Sequence, residues 1–506
     1  MMRLLFVCCL IAAFMFPLPA GCQAAPLPSG LVAAAPLDAN ACMPQPIPLP
    51  KPSDIQQDVR QVSLERAAAE GAVLPVSSDG SLSGALKLTL SDAIGRALET
   101  NPDLVSASEQ LAAADAALAR ARAEFYPTLG VSEQYGVSNN PVSAFMFQLN
   151  QRRLNPVQDF NQPPSTDDFH TQLRFQHKLY AGERRLHQLH AADARSGSAA
   201  LNLAALQNQL VFRVAEAYYR LLQTRDMVQV RREAVTQVQQ HLKIVQTRFR
   251  NETAVKSDVL TVEVRLAEVR EAFISAQNQW QLAWAVLENV CGVTFATREL
   301  PDAIPPAPWS EHTHKLETAI AAATNQRAEI GALARQRQAA AEGLLAAESG
   351  KRLNVDVVAD YDAYTGDFQQ GADSFFAGVI VQLNLFDGGR TRTEMARAAA
   401  KVRELRARQR RLMLDIELDV RRAYLQLQDA EARLKVASHA IEQGRESLRE
   451  IEVRYRGQTA TITQLIDAQV ALSNARIRRT SAEAEVEIAR AALQRAMGRL
   501  DDLVSQ

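Results

Sequence analysis

Apolar residues along this chain follow two different periods. Leu203, Leu206, Leu210, Val214, Ala217 and Leu221 step by three or four, and Val235, Val238, Leu242, Val245 and Phe249 resume the stepping. That spacing predicts an amphipathic helix or coiled coil. No proline occurs from 181 to 292 or from 387 to 498. A helix over 183–250 is therefore expected, about 100 Å long at 1.5 Å per residue. Ala468, Leu472, Ala475, Ala482, Val486 and Ala489 place small residues on a later seam, which lets helices approach closely. Elsewhere the period is two. Residues 127–138 alternate, as do Phe169, Thr171, Leu173, Phe175, His177 and Leu179 with their polar neighbours. Leu353 to Ala363 and Phe375 to Leu385 repeat the alternation. These four segments predict strands with one apolar face, each about 12 residues and roughly 40 Å long.

The two patterns recur in order. Residues 179–292 align with 385–498 at a constant offset of 206. Leu179-Tyr180-Ala181-Gly182 answers Leu385-Phe386-Asp387-Gly388, and Gly292 answers Gly498. Leu90-Ser91-Asp92-Ala93-Ile94 answers Leu316-Glu317-Thr318-Ala319-Ile320 at an offset of 226, so the first copy carries 20 extra residues between 130 and 179. The chain is one unit built twice: helix, strand, strand, long helix, long helix. The first repeat spans 87–292 and the second 313–499, with a linker at 293–312 and a tail at 500–506. Proline-rich residues 140–167 are expected to form a long loop between the first two strands, and 366–371 a short one.

Strands this long suit a tilted bilayer crossing. Four cannot close a membrane barrel, which takes about eight or more, and open edges are not tolerated in lipid. Several chains must pool their strands, and a trimer supplies 12.

The N-terminus agrees with export. Arg3 precedes the apolar run Leu4–Phe16 and a Pro-Leu-Pro-Ala-Gly-Cys-Gln-Ala-Ala segment, which reads as a signal over 1–24. Cys22 is a candidate for lipid attachment, although Pro19 stands three residues before it, where an apolar residue is usual. Residues 25–86 form a Pro/Ala-rich arm without periodicity. Cys42 and Cys291 lie in unrelated settings, so no disulfide framework is expected. With 56 basic and 57 acidic residues the charge is balanced, and nucleic acid is not an expected partner.

Four motifs, taken in order, carry a family resemblance: Ala97-Leu98-Glu99-Thr100-Asn101-Pro102-Asp103-Leu104, Phe125-Tyr126-Pro127-Thr128-Leu129, Leu385-Phe386-Asp387-Gly388-Gly389-Arg390, and Arg454-Tyr455-Arg456 followed by Leu465-Ile466-Asp467-Ala468-Gln469. The chain resembles the TolC-like outer-membrane efflux proteins over about 88–499. The resemblance implies a mainly α fold with transmembrane β: a homotrimer whose 12-stranded β-barrel in outer-membrane lipid continues into an α-helical barrel across the periplasm. It implies an exit duct for a tripartite efflux pump, or alternatively for type I protein secretion. The partners would be a periplasmic adaptor and an inner-membrane transporter, with no cofactor and no reaction catalysed.

By the same resemblance, the turns Glu252-Thr253-Ala254 and Gly457-Gln458-Thr459-Ala460 form the tips that meet the adaptor. The family places glycine where this chain has Glu252 and Gln458. Asp467 matches an acidic position of the periplasmic constriction, Gln464 replaces another, and Asp258 matches the equivalent place in the first copy.

Other chemistries find little support. His187 and His190 are three apart, and His312 and His314 two apart, without a nearby Cys or a convincing carboxylate companion in sequence; they read as surface polar residues rather than a metal site. Gly388-Gly389 lacks the Lys-Ser/Thr ending of a phosphate loop. A periplasmic adaptor would show one helical hairpin between small β domains, and a structural tether would not need four strands.

Overall fold

The computed structural model describes residues 87–295, 298–305, 315–366 and 371–499. The signal, Cys22, the N-terminal arm, His312, His314 and the C-terminal tail lie outside the described residues. In chain order the elements are α1 (Leu90–Thr100), α2 (Pro102–Ala123), β1 (Thr128–Ser138), α3 (Pro141–Asn150), β2 (Thr166–Ala181), α4 (Arg184–Arg250) and α5 (Lys256–Cys291). The second repeat follows as α6 (Leu316–Gln326), α7 (Ala328–Glu348), a 3-10 turn (Ser349–Lys351), β3 (Asn354–Thr365), β4 (Gly371–Gln382), α8 (Arg390–Arg456) and α9 (Ile462–Met497). Both α4 and α8 hold 67 residues, about 100 Å each, and both α5 and α9 hold 36. No helix among the described residues is long and apolar enough to cross a membrane.

The opening helix of each repeat is broken. Asn101 leaves helical geometry (φ −67°, ψ 123°) and its Oδ1 accepts from the Asp103 and Leu104 amides at 2.8 and 3.3 Å, while Pro102 occupies the first turn of α2. A proline there lacks an N–H that would have no partner anyway. Asn101 Nδ2 donates to the Val290 carbonyl at 2.7 Å, and Thr100 Oγ1 to that of Cys291 at 2.8 Å, satisfying the free end of α5. Arg327 adopts the same backbone (φ −66°, ψ 123°) between α6 and α7 without a proline to enforce it. Gly292 (φ +73°) and Gly498 (φ +76°) cap α5 and α9 against these breaks. A Cβ on Gly292 would meet Pro102 Cδ and the Thr100 oxygen at 3.0 Å, and one on Gly498 would meet the Arg327 backbone at 3.2 Å.

The cores repeat as the sequence does. Ala93, Ala97, Leu210, Val214, Ala217 and Leu287 share one cluster, and their equivalents Ala319, Ala323, Ile416, Val420, Ala423 and Leu493 share another. Tyr218 donates to the Leu88 carbonyl at 3.0 Å from full burial, which pushes its phenol up to about 12. Cys291 is a buried free thiol, likewise pushed up to about 11 by burial.

The strands form one antiparallel sheet in the order β1-β2-β3-β4. Its register sets Val131 opposite Leu173 and Tyr361 opposite Phe375 on one face, and Ser132 opposite Gln172 and Asp362 opposite Ser374 on the other. The first face is apolar and open, with Val131 72% and Phe375 78% exposed. The second carries Arg174 paired with Asp360 at 2.7 Å and His170 with Asp362 at 2.7 Å. The outer edges of β1 and β4 pair with no other described strand.

The structure differs from the sequence expectation in places. The 140–167 insertion is not simply a loop, because its start folds as α3. Asn140 caps it by accepting from the Val142 and Ser143 amides, and Pro141 opens its first turn. Gln151, just after α3, donates to Asp168 Oδ1 at 2.8 Å and ties the insertion to β2. The last strand ends at Gln382 rather than at 385. There the chain turns through Gly388 and Gly389, both at positive φ. Asp387 caps α8, accepting from the Thr391 hydroxyl and from the Thr391 and Gly389 amides at 2.9 and 3.0 Å, and these bonds, the hydroxyl's first, hold its carboxyl below the ordinary range. Glu183 does not act as a side-chain cap; it sits at φ +70° and pairs with Arg352.

Candidate functional site

The features that could meet a partner or narrow a passage gather where α4 turns into α5 and α8 into α9. The two turns are the same motif. In the first, the Glu252 amide donates to the Phe249 carbonyl at 3.0 Å and the Thr253 amide to that of Arg248 at 2.8 Å. In the second, Gln458 donates to Tyr455 at 3.2 Å and Thr459 to Arg454 at 2.9 Å. This is the Schellman pattern, in which the residue after the cap normally takes left-handed geometry and is normally glycine. Here it is Glu252 (φ +60°) and Gln458 (φ +58°), whereas Gly457, one position early, sits at φ −78° and does not use its freedom. Thr253 and Thr459 also close the turns through their hydroxyls, at 3.0 and 3.1 Å from the same carbonyls. Residues 251–253 and 456–459 are exposed, and Ala254 and Ala460 are half-buried beneath them.

Just behind the turns, the hairpins share an apolar cluster. Val262 and Leu266 of α5 pack with Ile462, Leu465 and Ile466 of α9 and with Val238 and Val245 of α4. This brings the starts of α5 and α9 together. Asp258 lies half-buried in the first turn of α5. Asp467 is exposed on α9 and forms no ion pair with another described residue. Gln464 is engaged locally: its Oε1 accepts from the Thr461 amide at 3.0 Å, and Thr461 Oγ1 accepts in return from the Gln464 amide at 3.3 Å. That reciprocal cap starts α9.

Two residues to which the sequence reading gave no site role join this region. The Arg248 guanidinium lies over the Tyr455 ring, 4.5 Å from its centroid, bridging the first hairpin to the second. Burial raises the Tyr455 phenol; Arg248 opposes this and the Asp258 carboxylate adds to it. The sequence did hold a signal, since Tyr455 stands where the first copy has Phe249 and brings the one hydroxyl. Farther from the turns, α4 meets α9 through polar contacts: His241 with Gln469 at 2.7 Å, Glu233 with Arg476 at 3.0 Å and Gln223 with Ser481 at 2.9 Å.

The sequence profile of the outer membrane efflux proteins matches residues 93–293 and 319–499, one stretch per repeat. The chain belongs to the outer membrane efflux protein family. It is similar to the outer membrane protein TolC of Vibrio cholerae, with 23% identity over 437 residues, covering 84% of this chain and 94% of that one. Its fold matches the outer membrane protein VceC of Vibrio cholerae, with a TM-score of 0.68, 20% identity, and 81% and 96% of the two chains covered. It also matches the Campylobacter jejuni CmeC outer membrane channel, with a TM-score of 0.70, 12% identity, and 82% and 88% covered. The efflux protein is thus an outer-membrane channel protein with a TolC-like fold, its helices reaching into the periplasm. The adaptor and tether alternatives fall, because two complete repeats and a four-stranded sheet are present.

Proposed function

We propose that this efflux protein is the exit duct of a tripartite efflux pump. It works as a homotrimer, takes substrates from an inner-membrane transporter through a periplasmic adaptor, and catalyses no reaction. The observation that carries this reading is the sheet: among the described residues it has four strands, two unpaired edges, and one apolar and one charged face. In lipid such a sheet is stable only when its edges are closed by further strands. Three copies give 12 strands, with the apolar face toward lipid and the Arg174–Asp360 face toward water.

The tips supply the docking surface for the adaptor through Glu252, Thr253, Ala254, Gly457, Gln458, Thr459 and Ala460. The starts of α5 and α9 supply the constriction. Asp467, exposed and without an ion-pair partner among the described residues, contributes one carboxylate per protomer, so three copies would gather negative potential on a shared axis. Asp258 acts beside Tyr455, and Gln464 acts by fixing the first turn of α9.

The test is native mass measurement of protein extracted from outer membranes, combined with single-channel recording in planar bilayers. A trimeric mass with small cation-preferring openings is expected. A monomeric mass without conductance overturns the duct.

A further inference from the structure

The fold supplies a companion that sequence spacing did not reveal for two histidines. His187 and His190 lie on one face of the first turns of α4, as the three-residue spacing requires. Glu342 reaches them from α7, in the other repeat. His187 Nδ1 lies 2.8 Å from Glu342 Oε2, and His190 Nδ1 lies 3.8 Å from the same oxygen. One donor atom from each of the three side chains falls within 4.8 Å of the others.

We propose that His187, His190 and Glu342 bind a divalent transition-metal ion of the Zn2+ class, pinning the first repeat to the second where strand becomes helix.

Three observations carry the assignment. The first is the donor set. Two imidazoles and one carboxylate suit zinc and its neighbours, and leave a fourth position for water. Magnesium and calcium prefer oxygen ligands and are poorly served here. The second is the geometry. The His187–Glu342 contact is explained by a hydrogen bond, but His190 at 3.8 Å is beyond one. Zinc with ligand distances of about 2.0–2.2 Å needs donors closer than 4.8 Å. His190 is half-exposed and can swing in, while His187 and Glu342 are largely covered and already aligned. Beside the site, Ala191, Ala194 and Ala339 pack as a small buried cluster that fixes the spacing of α4 and α7. The third is the duplication. The equivalents of His187 and His190 in the second repeat are Thr393 and Ala396, and that of Glu342 in the first is Ala116. The unit therefore folds without this trio, and packing does not require it.

Binding replaces the His187 Nδ1–Glu342 hydrogen bond with two contacts to the ion, because the ligating nitrogen must offer its lone pair. The consequence is local stiffness. His187 lies five residues after Gly182, and Arg352, after the 3-10 turn of the second repeat, already pairs with Glu183 at the same junction.

The experiment uses untagged full-length mature protein in detergent, stripped with a chelator and titrated calorimetrically with Zn2+; Co2+ absorption reports the donor set. One ion per chain is expected, at micromolar affinity or tighter by order of magnitude. Affinity should fall at least about tenfold in Glu342→Gln and in His190→Ala. The metal-free thermal midpoint should stay unchanged in His190→Ala, whose side chain is half-exposed. His439→Ala, on the exposed face of α8, should bind as the parent does. Absence of binding, parental affinity in either site variant, or competition by equimolar Mg2+ overturns the site. None of these results bears on trimer formation or conductance, so the site and the duct stand or fall separately.

Discussion

Arg327 donates to Asp419 at 2.9 Å, at the positions of Asn101 and Arg213 in the first repeat, where Arg213 pairs instead with Asp103 at 3.5 Å. Asp419 is the equivalent of Arg213 and Glu329 that of Asp103, so the long helix has changed sign while the opening helix keeps its acid; the new cation is Arg327, at the position of Asn101. Asn101 can cap α2 with its side chain, but Arg327 cannot accept a hydrogen bond. Its guanidinium instead spans Asp419 and Glu329, and Arg495 also donates to Asp419, at 2.9 Å. Asp419→Ala leaves two guanidinium groups facing each other in a partly buried site. The expected loss is about 2 kcal/mol of stability, read as a lower thermal midpoint. Asp103→Ala, in the more exposed pair, should cost less than about 1 kcal/mol.

The same cluster sets a pH dependence. Burial opposes the charge of Glu329, but the hydrogen bonds from Arg327 and from its own amide outweigh burial and hold the carboxyl below the ordinary glutamate range. Between the lowered folded value and the ordinary one, the unfolded chain binds more protons. The contribution is therefore complete above the ordinary value and is lost as pH falls through the folded one. Thermal midpoints measured on the acid side should fall less steeply for Glu329→Gln than for the parent. Parallel curves would remove Glu329 from the account.

Left-handed geometry at a residue with a Cβ costs about 1–2 kcal/mol. Glu252 and Gln458 carry that cost at both tips. Glycine there should slow amide exchange over 248–256 and 454–462 by about two- to five-fold, since part of the relief is offset by a freer unfolded chain. If the tips dock an adaptor through these side chains, the same variants should weaken cross-linking to it while stiffening the turn. A turn stabilised with docking unaffected would assign the contact to backbone or to neighbouring residues.

Much of this architecture was legible because duplication doubles every signal. The equivalents Val214 and Val420, or Leu287 and Leu493, enter cores of the same composition. The parts that were missed depend on single side chains or on distant contacts. Pro141 suggested a loop although it opens a helix, because Asn140 is a cap. The break at Arg327 has no proline to announce it; it follows from packing against Gly498. Arg248 and Tyr455, like His190 and Glu342, lie far apart in sequence and meet only when the helices pack.

The constriction can be tested at two depths. Asp467→Ala removes an exposed carboxylate with no ion pair to another described residue, so folding should hardly change. Single-channel recordings should show weaker cation preference and weaker block by divalent cations. Tyr455→Phe keeps the ring beneath Arg248 but removes the hydroxyl beside Asp258. It should leave selectivity intact and lengthen openings. Unchanged recordings for both variants would move the gate elsewhere.

The faces of the sheet make a prediction that needs only neighbouring residues. Val131 and Ser132 are adjacent in β1, and their pairings place Val131 opposite Leu173 and Ser132 opposite Gln172. A strand sends successive side chains to opposite faces. Val131→Arg puts a charge on the face assigned to lipid, where it costs about 2–4 kcal/mol near the bilayer centre. Ser132→Arg puts the same charge among Arg174, Asp360 and Asp362, where water and carboxylates can receive it. The first variant should be depleted from the outer membrane as folded protein, and the second should assemble at nearly the parent level. Equal depletion would mean that both faces are enclosed by protein, and the sheet would no longer be the wall of a barrel.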